Sequence, residues 1–311
     1  MQKREIVETH QRIKKYINNT PTLTSRAIDE IAGTNIFFKC ENFQKTGSFK
    51  IRGAFNALLQ LKKKQKVDNV VTNSSGNFGQ ALSYAASTLN INAYIVMPST
   101  ASQVKKDAVI GYGATIIESE PTLEAREAAT RAIVESESAI YIHPSNDYDV
   151  IMGQGTVSKE LLETMPVLNS IVSPVGGGGL IAGNALSAYY FGVNCAVIGA
   201  EPHEVDDAYR SLKSGKIEQN ITTNTIADGL RTQLGDIIFP IIQQHVERII
   251  RVEEYEIVDA MRLIWERMKI IVEPSSAVTL AAILKEKEAF EDKKVGVILS
   301  GGNVDLKKLP F

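Results

Sequence analysis

Short β-rich runs alternate with amphipathic helical stretches along almost the whole chain, and that rhythm limits what it can fold into. The strand candidates are Ile36–Cys40, Val70–Thr72, Ala93–Met97, Thr115–Glu118, Ala139–Ile142, Ser170–Val175, Ala196–Ala200, Ile249–Val252 and Val295–Leu299. Each is brief, rich in Val, Ile or Tyr, and bounded by Gly, Pro, Asn or Ser. Between the first two lie Ile51, Ala54, Phe55, Leu58 and Leu59, apolar residues that share one helical face. Such alternation predicts an α/β protein of open, mostly parallel sheets. At 311 residues the chain has material for about two domains. No Pro/Gly-rich linker marks a boundary, so the strand grouping sets the division. Residues 69–145 form a small domain, and residues 1–68 and 146–311 combine into a large one. Ligands in such folds bind at the carboxyl ends of strands, which directs attention to the loops that follow them.

Charge and cysteine usage narrow the function classes. A formal net charge of -2 gives no global field toward nucleic acid or an anionic membrane. The basic run Lys62, Lys63, Lys64 and Lys66 has no interleaved aromatic residues and reads as a solvated helix end. Cys40 and Cys195 make no disulfide framework and no C-x-x-C pair, which suits a reducing, cytoplasmic setting. The N-terminal stretch MQKREIVETHQRIKKYI lacks the apolar core of a signal peptide, and no run is long enough to span a bilayer. The four histidines are scattered without zinc spacing or a nucleophile partner. His143, before Pro144, reads as a packed or capping residue, and Trp265 as core.

Four segments carry chemistry. The strand candidate SIVSPV runs into Gly176, Gly177, Gly178 and Gly179, and a helical stretch follows. Glycines let backbone N–H groups approach a ligand closely, and the helix N-terminus adds its dipole, so the loop suits a phosphate or carboxylate. It is neither a Walker loop nor a dinucleotide fingerprint. A tight turn alone would be the plainer reading, but four consecutive glycines cost much backbone entropy. In KTGSFKIRG, Ser48 is placed to cap a helix starting near Lys50. A lysine in that first turn sits at the positive end of the dipole, which lowers its pKa and suits Schiff-base chemistry. By itself this signal is weak, since most lysines are solvated surface charges. The loop TNSSGNFGQ offers hydroxyls, an amide and free N–H groups to a carboxylate, or is a polar turn with a helix cap. LSGGN places the Ser300 hydroxyl at a strand end beside two glycines.

Together these segments resemble fold type II of the pyridoxal-phosphate enzymes, and within it the serine racemase and serine/threonine dehydratase group. The resemblance runs in order through NIFFKCENFQKTGSFKIRGA, VVTNSSGNFGQAL, HPSNDYDVIMGQGT, VGGGGLIAG, IGAEPHEVDDAYRS, TIADGL, IWERMKIIVEPSSAV and VILSGGNVDL. It is strongest to serine racemases in FQKTGSFKIRGA and LSGGNVDL. It implies a pyridoxal 5'-phosphate site in which Lys50 holds the cofactor and later moves the α-proton. Gly176 to Gly179 would hold the phosphate, Asn77 would bond the ring hydroxyl, Phe49 would pack on the ring, and Ser300 would face the pyridine nitrogen. Ser74, Ser75, Gly76 and Asn77 would surround the substrate carboxylate. An uncharged serine at the ring nitrogen does not hold it protonated, which favours prompt loss of a β-leaving group over transamination. Ser75, on the face opposite Lys50, would be the second acid–base group that racemisation requires.

The family usually reads S-G-N-H-G-Q, whereas this chain has Phe78 in place of the histidine. Phenylalanine neither donates nor accepts a hydrogen bond, so the substrate side-chain pocket becomes more apolar. The segment from Glu201 to Asp207 resembles the family's divalent-cation loop. Glu201, Asp207 and the Val205 carbonyl would supply oxygens suited to magnesium or calcium. Without the resemblance it reads as a solvated acidic loop. Glu273, opening a helical stretch, lies near the ring or answers the helix dipole. The leading expectation is a lyase that removes water and ammonia from L-serine or L-threonine, with serine racemase activity, working as a homodimer. The alternatives are a 3-hydroxyaspartate ammonia-lyase, with Arg126 as the cation for the extra carboxylate, and a silent ligand-binding protein on the same scaffold.

Overall fold

The computed structural model describes residues 1–311 in full. Ten strands form two sheets. They are β1 (Thr22–Leu23), β2 (Asn35–Cys40), β3 (Asn69–Asn73), β4 (Asn92–Pro98), β5 (Thr115–Ser119), β6 (Ile140–Tyr141), β7 (Ser170–Pro174), β8 (Ala196–Pro202), β9 (Arg248–Val252) and β10 (Lys294–Leu299). The larger sheet has the order β1-β2-β10-β7-β8-β9 and the smaller β5-β4-β3-β6. Every pairing is parallel except β1 with β2. All nine expected strands form. β1 was not expected, because two residues are too short to show a period.

Both faces of the large sheet are covered, as parallel sheets require. Ile36, Phe38, Val295, Val297 and Leu299 pack into one apolar cluster, and Ile171, Val197 and Ile298 into another across the sheet. That is why KVGVIL reads as an almost unbroken apolar run. The small sheet buries Val70, Ala93, Ile95 and Met97 against Phe78, Ala81, Leu82 and Ala85. Trp265, expected in the core, sits at its rim instead. It is only partly buried, and its indole N–H donates to the Val272 carbonyl at 3.0 Å.

The helix Lys50–Lys64 buries Ile51, Ala54, Phe55 and Leu58, and ends in exposed Lys63 and Lys64. It crosses the helix Tyr148–Thr164 at glycines: a β-carbon on Gly153 would lie 2.5 Å from the Arg52 carbonyl oxygen. Beside this crossing is a sealed ionic cluster. Arg52 donates to Glu41 at 2.7 and 2.8 Å and to Glu160 at 2.8 Å, and Lys39 reaches Glu160 at 2.8 Å. All four side chains are buried, and they lock the start of the Lys50 helix to the end of β2.

Candidate active site

Sheet register brings the first pair of motifs together. Val297 of β10 pairs with Val172 of β7, so three residues further on Ser300 stands level with Val175, at the edge of the glycine run. On the other side of β10, Ser48 bridges Gly301 and the Phe49 N–H donates to the Ser300 carbonyl at 3.0 Å. Lys50 opens its helix directly after this join. Ser48 does not cap that helix. Phe49 holds the cap position without a side-chain bond, and the buried Ser48 hydroxyl has no partner. The strand-like pairing with Gly301 turns Ser48 away from the helix end.

The Lys50 amine donates to the Pro144 carbonyl at 2.9 Å. The rings of Phe49 and Phe78 stand 5.1 and 5.7 Å from it. Burial pulls the amine down to about 8, and the charge of Glu273 opposes this. The direction matches the sequence reading, but the main cause is desolvation rather than the helix dipole. Nearby, the Nδ1 of His143 accepts the N–H groups of Ser145 and Asn146 at 3.1 and 2.7 Å, so the ring caps this turn. Burial and the Lys50 charge push His143 down to about 4, which keeps it neutral.

Ser145, next to Pro144, carries this corner to the glycine run. A β-carbon on Gly177 would lie 2.5 Å from the Ser145 hydroxyl, and one on Gly176 would lie 2.8 Å from the Leu230 α-carbon. Gly178 has φ +76, a left-handed conformation that side chains disfavour, and it precedes the 13-residue helix Gly179–Phe191. Gln154 lies at the base of this cradle, its Oε1 2.7 Å from where a Gly179 β-carbon would sit. Gln154 is fully buried, and neither of its amide atoms has a hydrogen-bond partner. A helix N-terminus, a backbone with no room for side chains, and an orphaned amide fit a phosphate.

Asn77 opens the helix Asn77–Thr88 that follows β3. Its Nδ2 donates to both oxygens of Glu273 at 2.8 and 3.1 Å, while its Oδ1 accepts from Asn303 at 2.9 Å. Asn303 is itself held by the Thr46 carbonyl at 2.8 Å. Burial and the charge of Asp228 raise Glu273 to about 7. Ser300 contacts the Ser276 hydroxyl at 3.1 Å. Ser276 commits its one proton to the Gly301 carbonyl at 2.7 Å, so Ser300 is the donor in that pair. Ser74, Ser75 and Gly76 form the turn before Asn77, and the Ser75 hydroxyl makes no hydrogen bond within the chain. Phe78 is buried, its ring packed into the small-sheet core.

The residues of the acidic loop span the end of β8 and the start of the helix that follows it. Glu201, at the end of β8, accepts the Tyr209 N–H at 2.7 Å, and Asp207, opening the helix Asp207–Ser214, accepts the Leu234 N–H at 2.9 Å. Both carboxyls are buried, neither has a cationic partner, and Val205 is buried between them in sequence. Burial and the charge of Asp207 raise Glu201 well above the usual carboxylate range, and burial lifts Asp207 to about 6. Two buried carboxyls with no ion-pair partner fit a hard cation.

Comparison with known proteins bears on this arrangement. Residues 13–301 match the family described as "Pyridoxal-phosphate dependent enzyme". The chain belongs to that family. It is 52% identical to the serine racemase of Dictyostelium discoideum over 98% of this chain and 96% of that one. It is 47% identical to the β-hydroxyaspartate dehydratase of Paracoccus denitrificans, over 99% and 98%. The solved structure of T.th. threonine deaminase superposes with a TM-score of 0.93 at 38% identity, covering 98% of this chain and 99% of that one. The fold is therefore type II of the pyridoxal-phosphate enzymes, and the protein is an enzyme that uses pyridoxal phosphate on a small molecule.

Sequence reasoning did not single out Gln154, Asn303, Ser276 or the Pro144 carbonyl. Gln154 lies in the segment HPSNDYDVIMGQGT, but only the fold shows that its amide is orphaned beside Gly179. No sequence signal marks a main-chain carbonyl.

Proposed function

We propose that the protein converts L-serine or L-threonine to a 2-keto acid and ammonia, with serine racemase activity at the same site. The observation that carries this reading is the half-buried Lys50, its amine lowered in basicity and held by the Pro144 carbonyl, next to the Ser145 that abuts the four-glycine cradle. When bound, pyridoxal phosphate supplies an electron sink for bond breaking at the substrate α-carbon. In this reading Lys50 anchors the cofactor, Gly176, Gly177, Gly178 and Gly179 take its phosphate, and Gln154 adds an amide to that cradle. Asn77 donates to the ring oxygen, Phe49 packs against the ring, and Ser300 gives the ring nitrogen a neutral hydroxyl. Ser74, Ser75, Gly76 and Asn77 receive the substrate carboxylate, and Phe78 borders its side chain.

Once the substrate's amine has displaced it, Lys50 would remove the α-proton, and in net the α-proton and the β-hydroxyl are lost together as one water. The released enamine tautomerises and takes up one water, giving the keto acid and ammonia. If Ser75 delivers a proton to the opposite face before the hydroxyl leaves, the α-carbon is inverted instead. Residues 69–145 act as a small domain that closes over the substrate. The Lys105–Asp228 ion pair, which joins the helix Gln103–Gly111 to the turn at Asp228–Leu230, supports this reading. Glu201, Asp207 and the Val205 carbonyl bind magnesium or calcium as a structural ion. The working form is a homodimer in a reducing, cytoplasmic setting. Free Cys40 and Cys195 suit that setting, and no helix is long and apolar enough to cross a membrane.

A second reading is favoured by the 47% identity to a β-hydroxyaspartate dehydratase. Arg126 lies near enough to Tyr141 for its charge to counter the rise of that phenol, and Tyr141 packs edge-on to His143 at 6.1 Å. Arg126 is then the cation for the second carboxylate. Keto-acid release from L-serine, L-threonine and 3-hydroxyaspartate separates the readings, with D-serine assayed in the L-serine sample. Serine or threonine turnover supports the first reading. Preference for 3-hydroxyaspartate that falls in Arg126→Ala supports the second. No keto acid from any substrate sinks both lyase readings.

A further inference from the structure

The partner of the Lys50 amine is a main-chain carbonyl and not a side chain. The amine donates to Pro144 at 2.9 Å, and Glu273 acts on it through charge alone, since both Glu273 oxygens accept from Asn77. A bonded carboxylate would hold the lysine as an ammonium. A neutral carbonyl orients the amine and leaves it able to lose its proton. An amine that gives one N–H to a carbonyl keeps its lone pair free.

That carbonyl belongs to a turn, residues 143–147, between β6 and the helix Tyr148–Thr164. His143 fixes the turn from inside. Its Nδ1 accepts the N–H groups of Ser145 and Asn146, the two residues that follow Pro144, at 3.1 and 2.7 Å. An imidazole nitrogen accepts only while it carries no proton. Burial and the Lys50 charge favour that state, and Asp236 opposes them. Proline at the centre has a fixed φ and brings no N–H that would compete for the ring. The far side of the turn is tied down as well. Asn146 donates to Asp236 at 2.7 Å and accepts the Ile237 N–H at 3.1 Å, and Asp147 accepts the Val150 N–H at 2.9 Å.

We propose that the Pro144 carbonyl is the resting place of the Lys50 amine whenever that amine is not bonded to the cofactor, and that His143 is the positioning residue that aims the carbonyl. The inference rests on the reading in which Lys50 removes the α-proton. Once the substrate's amine has displaced Lys50, the carbonyl takes one of its N–H groups and the lone pair is left for the α-proton. The proton passes from the α-carbon to the amine, and the bonding pair stays on carbon. The amine is then an ammonium, and its hydrogen bond to Pro144 becomes charge-assisted and stronger. The carbonyl therefore both directs the base and steadies the charge it acquires. His143 acts only through the turn.

The test compares the wild type with Lys50→Ala, His143→Leu and His143→Asn. Leucine removes the acceptor and leaves the Ser145 and Asn146 N–H groups unpaired. Asparagine restores one, because its side-chain oxygen bonds the N–H two residues on. With cofactor-loaded protein, keto-acid release is measured from L-serine and from α-deuterated L-serine. His143→Leu is expected to lower kcat by about 10–100-fold, to leave KM little changed, and to raise the isotope effect on kcat. His143→Asn is expected to recover most of kcat. In the full chain after cofactor removal, the pH midpoint of Lys50 is read by competitive acetylation and mass spectrometry. It is expected to fall in His143→Leu by about one pH unit, the worth of a hydrogen bond to a charged group, and to stay in place in His143→Asn. Keto-acid release by Lys50→Ala equal to the wild type overturns the proton-abstraction reading and this inference with it. With Lys50 required, an unchanged isotope effect or an unmoved midpoint in His143→Leu overturns the inference alone, as does a loss of kcat that asparagine does not restore. If His143→Leu does not fold, wild-type protein with carbon-13 in its proline carbonyls decides. One carbonyl resonance is expected to follow the Lys50 titration and to lose that response in Lys50→Ala, and its absence overturns the inference.

Discussion

Two buried, unpaired carboxyls make the stability of this fold depend on pH in a way that a divalent cation should erase. Asp207 ordinarily ionises near 3.8 and in the fold near 6, chiefly because it is buried. Between those values the folded chain keeps a proton that the unfolded chain has released. Its contribution to stability is therefore complete below about pH 4 and is lost as pH rises through about 6. The rise from 3.8 to about 6 corresponds to about 3 kcal/mol. Glu201 shifts in the same direction and extends the loss to higher pH. A cation binds the charged form, so it stabilises the fold little near pH 4 and by at least about 3 kcal/mol near pH 8. For a chain of this length that is about 5 °C in melting temperature. The assay is thermal unfolding of the cofactor-loaded protein in saturating Ca2+ and in chelator from pH 5 to 8. A cation-induced shift that grows with pH and then levels is expected. A shift that is constant over this range, or absent, refutes the assignment of Glu201 and Asp207 to one cation.

Three further outcomes follow from the packing. Gly178→Ala must adopt a left-handed backbone, at about 1–2 kcal/mol, and push into Leu234 and Ile238 at 2.6 Å, at about 1–3 kcal/mol. Cofactor affinity by fluorescence titration should fall at least about 10-fold, and unchanged affinity would show that this loop is not the cradle. Arg52→Met leaves Glu41 and Glu160 buried without their guanidinium, and denaturant unfolding should show a loss of about 3–5 kcal/mol. A loss under about 1 kcal/mol would mean that the cluster is hydrated. Phe78→His replaces an apolar wall with a polar ring, so the ratio of kcat/KM for L-threonine over L-serine should drop at least about 10-fold. An unchanged ratio would place Phe78 outside the side-chain pocket.

Much of this was legible before any coordinates because parallel strands leave a strong local trace. KVGVIL and SIVSPV are apolar on both faces, and the residues just beyond them, Ser300 and Gly176 to Gly179, fall at strand ends by necessity. The Lys50 helix was readable from the spacing of Ile51, Ala54, Phe55 and Leu58. What the sequence did not disclose depends on residues far apart in the chain. Ser48 looked like a helix cap because the motif is local, but its pairing with Gly301 decides its conformation. The lowered basicity of Lys50 was traced to a dipole, when its burial depends on elements that no single segment contains. Gln154 is an ordinary polar residue in the sequence, and only the packing around it leaves its amide without partners.

The central claim is that Lys50 carries the cofactor within the glycine cradle. It is tested most directly by reducing the cofactor-loaded protein with borohydride, digesting it, and locating the modified lysine by mass spectrometry. The account predicts one modified lysine, Lys50, with the modification lost in Lys50→Ala. Modification of another lysine, or none in protein that retains the cofactor's visible absorption, would contradict it.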